Sequence, residues 1–476
     1  MERFVSSSVF DRKSFRPDSR MSVVASCSCG ITRGHIWGED LSMARPPRLA
    51  PVRQELIQLL ASARMSPLDD APRLVTADWL EENGDASDRD RAAFIRLQCY
   101  HSRKDALGRR KRDLSDQEHN LLVRNWDTWL GPLTNLARGD NVRFTRGLID
   151  LVTQSPNDLL KRGATNALLS EQAAWVDELT LHNVSSTDFE RILKLPLTGQ
   201  IGGLIASSSG LDAIACQALA RCENLIGLHT LDLNYNSISD EGATALASSP
   251  YLGNLHHLDL WECSIGPEGA QALAGMRSPA RPHWINLGGN HIGEVGIRAL
   301  ASSPILENVR RLLIWGNQIR NTGLQHLVRT PFLQSIEELY INENELGLQG
   351  MRYLASWSAL SNVRTLSIWG NRRISRTGGT ILCEAPMNNM QMLLLTGNHI
   401  GDESVVALAN NPTVKQLRQL DLSQNRLTDE GVRALLDSPH LVELENLNLS
   451  GNSDISEALM QECEDRFEME VRDQVP

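Results

Sequence analysis

Three sets of side chains in this sequence have types and spacings that chemistry could use. The first is acidic: Asp69-Asp70 and Glu81-Glu82 each set two carboxylates side by side, the raw material of a general acid and base. Both pairs fall at helix ends, and they read as helix-end residues. The second is aromatic. Trp261, Trp315 and Trp369 recur at even spacing with Tyr235, Trp284 and Tyr340 nearby, in a chain with only 5% aromatic residues. Large rigid rings of this kind dominate binding hot spots. The third is basic, Arg103-Lys104 and Arg109-Arg110-Lys111-Arg112, without the interleaved aromatics of a nucleic-acid surface.

Reaction centres of known pattern are missing. There is no Walker loop, nucleophile elbow, HExxH helix or dinucleotide fingerprint. The eight cysteines (Cys27, Cys29, Cys99, Cys216, Cys222, Cys263, Cys383, Cys463) lack C-x-x-C spacings and nearby His pairs, so neither zinc nor a disulfide framework is expected. No catalytic residue, metal or cofactor is therefore assigned, and the chain is read as a non-enzyme. Net charge is −11 and the pI about 5.6, which argues against a nucleic-acid partner, since neutralising phosphates takes surplus Lys and Arg. Mean hydropathy is −0.27, no apolar run approaches the roughly 20 residues that span a bilayer, and Met1–Val24 carries Arg and Asp where a secretory signal would be apolar. These features predict a cytoplasmic monomer with no membrane contact, whose partner is an unidentified protein.

What must position the aromatic residues is a repeat. The pattern L-x-L-x-x-N ends at Asn236, Cys263, Asn290, Asn317, Asn344, Asn371, Asn398, Asn425 and Asn452, each 27 residues after the last, and Ser209 extends it upstream. Gln154 and His182 fit more loosely. The two aliphatic residues before each Asn, such as Leu231 and Leu233, alternate with polar ones and predict a short strand with one buried face. The Asn should turn the chain inward and bond backbone groups left unpaired at the bend. Further aliphatics at +2 (Ile238, Ile265, Ile292) and +10 (Leu246, Leu273, Leu300) predict a helix, and Pro250, Pro304, Pro331, Pro412 and Pro439 close it. A glycine at +6, as in Gly242, Gly269 and Gly296, predicts a close approach of helix to strand.

Each unit is thus strand, turn, helix, return. Helices are about 10 Å across and paired strands about 4.8 Å apart, so the stack bends with strands inside. The predicted fold class is α/β, a leucine-rich-repeat solenoid: a horseshoe with parallel strands on the concave face, helices on the convex face and a small N-terminal helical domain. The period and segments such as Ser239-Asp240-Glu241-Gly242-Ala243-Thr244-Ala245-Leu246-Ala247 resemble the ribonuclease-inhibitor-like subfamily over roughly residues 145 to 460. Only Cys263 stands where the mammalian inhibitor carries many cysteines, so its ribonuclease target is not implied.

Upstream, residues 1–48 lack periodicity and are expected to be disordered or to precede the true start, since Met21 and Met43 follow. Helical patterns then run from Pro51 to near Arg64, from Asp69 or Asp70 to Asn83, from near Arg89 to Ser102, and from a Ser115–Glu118 capping box to Trp129. The stretch from Asp69 to Asp85, containing Ala77-Asp78-Trp79-Leu80-Glu81-Glu82, with Phe94-Ile95-Arg96-Leu97-Gln98, is similar to the bacterial repeat-companion domain, which precedes repeat arrays and has no established activity. The expected domains are 49–140 helical, 141–455 repeats and 456–476 a capping helix and tail.

Residues alternating with the buried strand positions should face into the concave side, free of folding constraint. Four before each Asn these include Asp232, Asp259 and Tyr340; two before they include Trp261, Trp315 and Trp369. With Tyr235, Trp284, Glu262 and Glu343 they form the expected partner-binding face, its acids favouring a basic partner. The alternative is that the rings pack on one another or on Gly288, Gly316 and Gly370. The Arg277–Trp284 segment, which puts Pro279 and Pro282 at aliphatic positions, is expected either to bulge as a contact loop or to be simple drift. Other functions left open are GTPase activation of the Ran GTPase-activating type, whose members share this repeat, and glycan binding by the Trp file.

Overall fold

The computed structural model describes residues 53–104, 114–136, 142–153, 155–161, 163–277 and 280–468. All of them fall in one compact unit spanning residues 50–471. The expectations for residues 1–48, for Arg109–Arg112, for Gln154, for Pro279 and for the tail after Glu468 lie outside the described residues.

Among the described residues thirteen strands form one open sheet in strict chain order. An antiparallel hairpin begins it, β1 (Val142–Thr145) and β2 (Leu148–Thr153), followed by β3 (Val176–Leu181) and β4 (Gly203–Ile205). Nine three-residue strands complete it: β5 (Thr230–Asp232), β6 (His257–Asp259), β7 (Trp284–Asn286), β8 (Arg311–Leu313), β9 (Glu338–Tyr340), β10 (Thr365–Ser367), β11 (Met392–Leu394), β12 (Gln419–Asp421) and β13 (Asn446–Asn448). From β2 onward every pairing is parallel, and from β4 onward the register is one full repeat, Leu231 on Leu258 on Ile285 on Leu312. A parallel strand needs a crossover, and each repeat supplies a helix of eight to ten residues for it, such as Ser239–Ala247 and Arg320–Arg329. Leu231, Leu233, Ile238 and Leu246 and their repeats line the interior as one continuous core. The α/β solenoid expected from the 27-residue pattern is the observed fold.

The glycines at +6 act between repeats rather than between layers. A Cβ on Gly296 would lie 2.8 Å from Ala270 Cβ and one on Gly323 2.6 Å from Ile297 Cγ2, both on the helix of the preceding repeat. The expected close approach is therefore helix to helix. A second link between repeats was not foreseen. Asp240 Oδ1 accepts from Gly266 N (2.6 Å) and Gly269 N (2.8 Å), Asn321 Oδ1 from Gly347 N and Gly350 N, and Asp402 Oδ1 from Thr428 N and Gly431 N. In these repeats a side chain at +4 thus caps the next helix, as Asp429 Oδ1 also does for Ser456 N, satisfying donors that helix leaves unpaired.

Four helices precede the sheet: α1 (Gln54–Met65), α2 (Ala71–Asn83), α3 (Ala86–Lys104) and α4 (Asp116–Leu130). The capping box forms, with Ser115 N donating to Glu118 Oε2 (2.8 Å) and Glu118 N to Ser115 Oγ (3.3 Å). Asp69, not Asp70, caps α2, accepting from Ala71 N at 2.9 Å. Asp78 and Glu81 of α2 both pair with Arg96, so these two acids are tied into the helical packing. The helices pack on the first repeat through polar ties. Arg53 bonds Glu171 and Asp88, Gln98 bonds Phe144 O and Gly147 N, and buried Arg91 lies over the Trp175 ring at 3.8 Å and donates to Gly147 O. At the far end the helix Glu457–Arg466 is followed by Glu468, whose N and O bond Glu445 O and Leu447 N beside β13. Main-chain groups at that sheet edge therefore have partners.

Candidate functional site

The Asn column builds the turn that presents the inner face. Asn344 is fully buried; Nδ2 donates to Ile314 O (2.9 Å) and Asn342 O (3.0 Å), and Oδ1 accepts from Asn317 N (2.9 Å) and Ile319 N (3.3 Å). Asn236, Asn290, Asn317, Asn371, Asn425 and Asn452 likewise donate to carbonyls on two successive repeats, and Asn398 donates to Leu395 O while accepting from Asn371 N. Cys263 substitutes a thiol that donates to Leu233 O, and burial holds that thiol well above its usual pKa. One residue earlier the chain is left-handed in every repeat from Tyr235 (φ 54°) to Gly451 (φ 72°). Glycine suits this position, and five repeats use it. Tyr235, Glu262, Glu343 and Gln424 adopt it at the cost of a strained backbone.

The column four before the Asn is not free of folding constraint. Asp232, Asp259 and Tyr340 are 3%, 4% and 4% exposed. These three were expected as open contacts and are instead under the surface, because each lies between neighbouring strands and its own turn. Asp232 accepts from Asn234 N (3.1 Å), Asp259 from Trp261 N (3.0 Å) and Asn286 from Gly288 N (3.1 Å), so the column caps the strand end. Such side-chain turns are what short Asx residues do best. Burial, first, and then the Asp232 carboxylate beside it push the Asp259 carboxyl up to about 8. Tyr340 Oη donates to Glu338 Oε2, which Arg311 also holds.

The tryptophans divide. Trp261 is 7% exposed, with Tyr235 edge-on at 4.4 Å and Trp315 at 5.6 Å. Trp315 covers Gly288, where a Cβ would sit 2.3 Å from Nε1. Tyr235, Trp261 and Trp315 are thus one self-packed cluster with Gly288 as its floor. Trp315 and Trp369 nevertheless stay half-exposed on the inner face, and Trp369 has no aromatic partner among the described residues. Trp284 lies at the other end of its strand against His257, away from this group. Glu262 and Glu343 are exposed; Glu262 lies across Gly289, and Glu343 across Gly370. On either side of residues 278 and 279, which lie outside the described residues, Arg277 N donates to Ala247 O, Ala280 is buried and His283 N donates to His256 O.

A leucine-rich-repeat family model matches residues 228–247, 254–274, 387–409 and 416–436. The repeats between those matches share their register, Asn bonds and helices, so leucine-rich repeats run through the array from β5 to β13. No curated protein matches the chain. Among solved structures, the yeast Rad7–Elc1 complex contains a chain similar to this one, with TM-score 0.49, 15% identity and coverage of 86% of this chain and 95% of that one. A second, the TLR13–ssRNA13 complex, has TM-score 0.33 and 16% identity, covering 61% of this chain and 50% of that one.

Among the described residues no group of three or more His, Cys, Asp and Glu could hold a metal ion, and no helix is long and apolar enough to cross a membrane. One further residue of the column two before the Asn belongs with the face. Asn342, between Trp315 and Trp369 at the same repeat position, is fully buried; its Oδ1 accepts from Ser367 Oγ (2.6 Å) and Trp369 N (3.1 Å), while Nδ2 has no acceptor. Its repeat position was the available signal.

Proposed function

We propose that this protein is a non-catalytic interaction scaffold that binds a protein partner on the concave strand face of its leucine-rich repeats. The reading is carried by Trp315 and Trp369, which stay partly exposed on the inner face together with Tyr235, while Trp261 beneath them is buried. An indole left open on an otherwise self-satisfied sheet is costly to hydrate and is the common anchor of protein interfaces. Exposed Glu262 and Glu343 beside the indoles favour a partner with basic groups. On this reading the domains are the companion-like helices of 49–140, the repeats of 141–455 and the cap after 456. The covered β13 edge supports a monomer, here read as cytoplasmic.

The test is a cross-linking and mass-spectrometry comparison of wild type with a Trp315→Ala, Trp369→Ala double variant in the source cell. Loss of a specific set of partners, with circular dichroism unchanged, is expected. An unchanged partner set in a folded variant rejects the strand face as the binding surface.

A further inference from the structure

Histidine stands seven before the column residue in three successive repeats: His229, His256 and His283, each directly ahead of its strand, β5, β6 and β7. The main chain holds them in register. His229 O accepts from His256 N (2.8 Å) and His257 N (3.0 Å), His256 O from His283 N (2.8 Å) and Trp284 N (3.1 Å), and His283 O from Arg310 N (2.8 Å) and Arg311 N (3.0 Å). The partly buried rings of His256 and His283 lie 5.1 Å apart, and Nδ1 of each is buried without a hydrogen-bond partner.

Among the described residues only His229 has a carboxylate to answer its charge. A Cβ on Gly202 would lie 2.2 Å from His229 Nε2 and 2.7 Å from Asp177 Oδ1, so this glycine lets His229 reach past it to Asp177 on β3, at 3.7 Å, where Arg64 also stands at 3.8 Å. His256 faces His229 and His283, and His283 faces Arg310. The acids nearby in the stack are engaged elsewhere: Arg310 and Arg364 share Glu337 at 3.7 and 3.3 Å, and Arg281 holds Glu307 at 3.0 Å. His257 packs on the Trp284 ring. Protonation of His256 and His283 therefore sets two cations side by side against a third, Arg310, in a partly buried column. Burial, first, and then these neighbouring charges hold both groups below the usual histidine value of 6.5.

We propose that this file is an acid-operated release built into the array: protonation of His256 and His283 parts β5, β6 and β7 ahead of the other repeats. The turns after the same three strands carry Tyr235, Trp261 and Gly288, so the release loosens the packed aromatic cluster from the opposite end of its strands. This holds whatever the inner face binds. Above pH 6.5 both rings are neutral in the folded and the unfolded chain, and the file makes no difference. Below it the unfolded chain takes up protons that the file resists, so stability falls as the pH falls, by up to about thirtyfold in the folding equilibrium for each histidine at pH 5.

Glutamine is the replacement of choice, because Gln391 already occupies this position, its carbonyl accepting from Arg418 N (2.9 Å) and Gln419 N (3.0 Å). Hydrogen exchange of the full-length chain is read by mass spectrometry at pH 7 and pH 5 and corrected for intrinsic rates. At pH 5, β5 to β7 should gain exchange by about tenfold or more over β10 to β13. The His256→Gln, His283→Gln double variant, folded at pH 7 by circular dichroism, should lose that gain, and each single variant should keep part of it. No gain at pH 5, an equal gain along the whole array, or a gain that persists in the double variant overturns the proposal. Should the double variant not fold, the single variants decide: a gain undiminished in both overturns it as well.

Discussion

Replacing Asp259 by Asn should make the array more stable at alkaline pH and flatten its response to pH. Asp259 pairs in register with Asp232 on one side and Asn286 on the other, and it is 4% exposed. Its Oδ1 accepts from Trp261 N at 3.0 Å and its Oδ2 from Asn286 Nδ2 at 3.3 Å. One repeat on, Asn286 already does what the variant would do, accepting from Gly288 N and donating to the acid behind it. An asparagine at 259 therefore keeps the bond from Trp261 N and puts an uncharged amide in place of Oδ2, which removes the acceptor of Asn286 Nδ2. In the wild type the folded carboxyl titrates near 8 against an ordinary 3.8. Between those values the native state holds a proton that the unfolded chain has released, so stability falls as pH rises. The contribution is whole below about pH 4 and gone above about pH 8. One proton corresponds to a slope on the order of 1 kcal/mol per pH unit. Urea midpoints of wild type and D259N, followed by tryptophan fluorescence and circular dichroism from pH 5 to 8.5, measure it. His256 and His283, whose pKa values burial lowers, titrate in both proteins and cancel in the difference. The variant, in which buried Asn286 Nδ2 loses its acceptor, should fall below wild type near pH 5 and hold the higher midpoint at pH 8. A midpoint difference that does not move with pH would show that Asp259 is ionised in the fold, and would refute the reasoning.

Asn344→Ala should cost about 2 to 4 kcal/mol in urea unfolding, because it leaves the carbonyls of Ile314 and Asn342 and the amides of Asn317 and Ile319 unpaired in the interior. Gly288→Ala puts a methyl 2.3 Å from Trp315 Nε1 and should displace that ring, changing the near-ultraviolet dichroism and costing about 1 to 2 kcal/mol. Asp402→Ala removes an acceptor from Thr428 N and Gly431 N and should cost about 1 kcal/mol, with faster amide exchange in the helix Asp429–Leu436 than in its neighbours. Arg53→Ala frees Glu171 and Asp88 and should lower the unfolding midpoint modestly, with hydrogen exchange rising in α1 before the repeats respond.

The fold was legible because its strongest constraint repeats. A strand of three residues gives almost no periodic signal alone, yet Leu231, Leu258, Ile285 and Leu312 stand on one another at a fixed interval, and the Asn bond must close every turn. The inner face was legible only in part, for a reason of geometry. Alternation along a strand says which residues leave the core, but not whether they reach solvent. Position −4 leaves the core and is then covered, flanked on both sides by strands in register and bonded to its own turn, as at Asp259. Position −2 lies beyond the last paired residue, where no ladder dictates the side chain, and there Gly288, Asn342 and Trp369 are all tolerated. Whether a ring at −2 is open depends on its neighbour one repeat away: Gly288 lets Trp315 fold down to meet Trp261, whereas Asn342 fills the equivalent floor beside Trp369. A regularly spaced file of three tryptophans in the sequence thus becomes one buried ring, one partly exposed ring leaning on it and one partly exposed ring without an aromatic partner among the described residues, and the residue between the rings decides which.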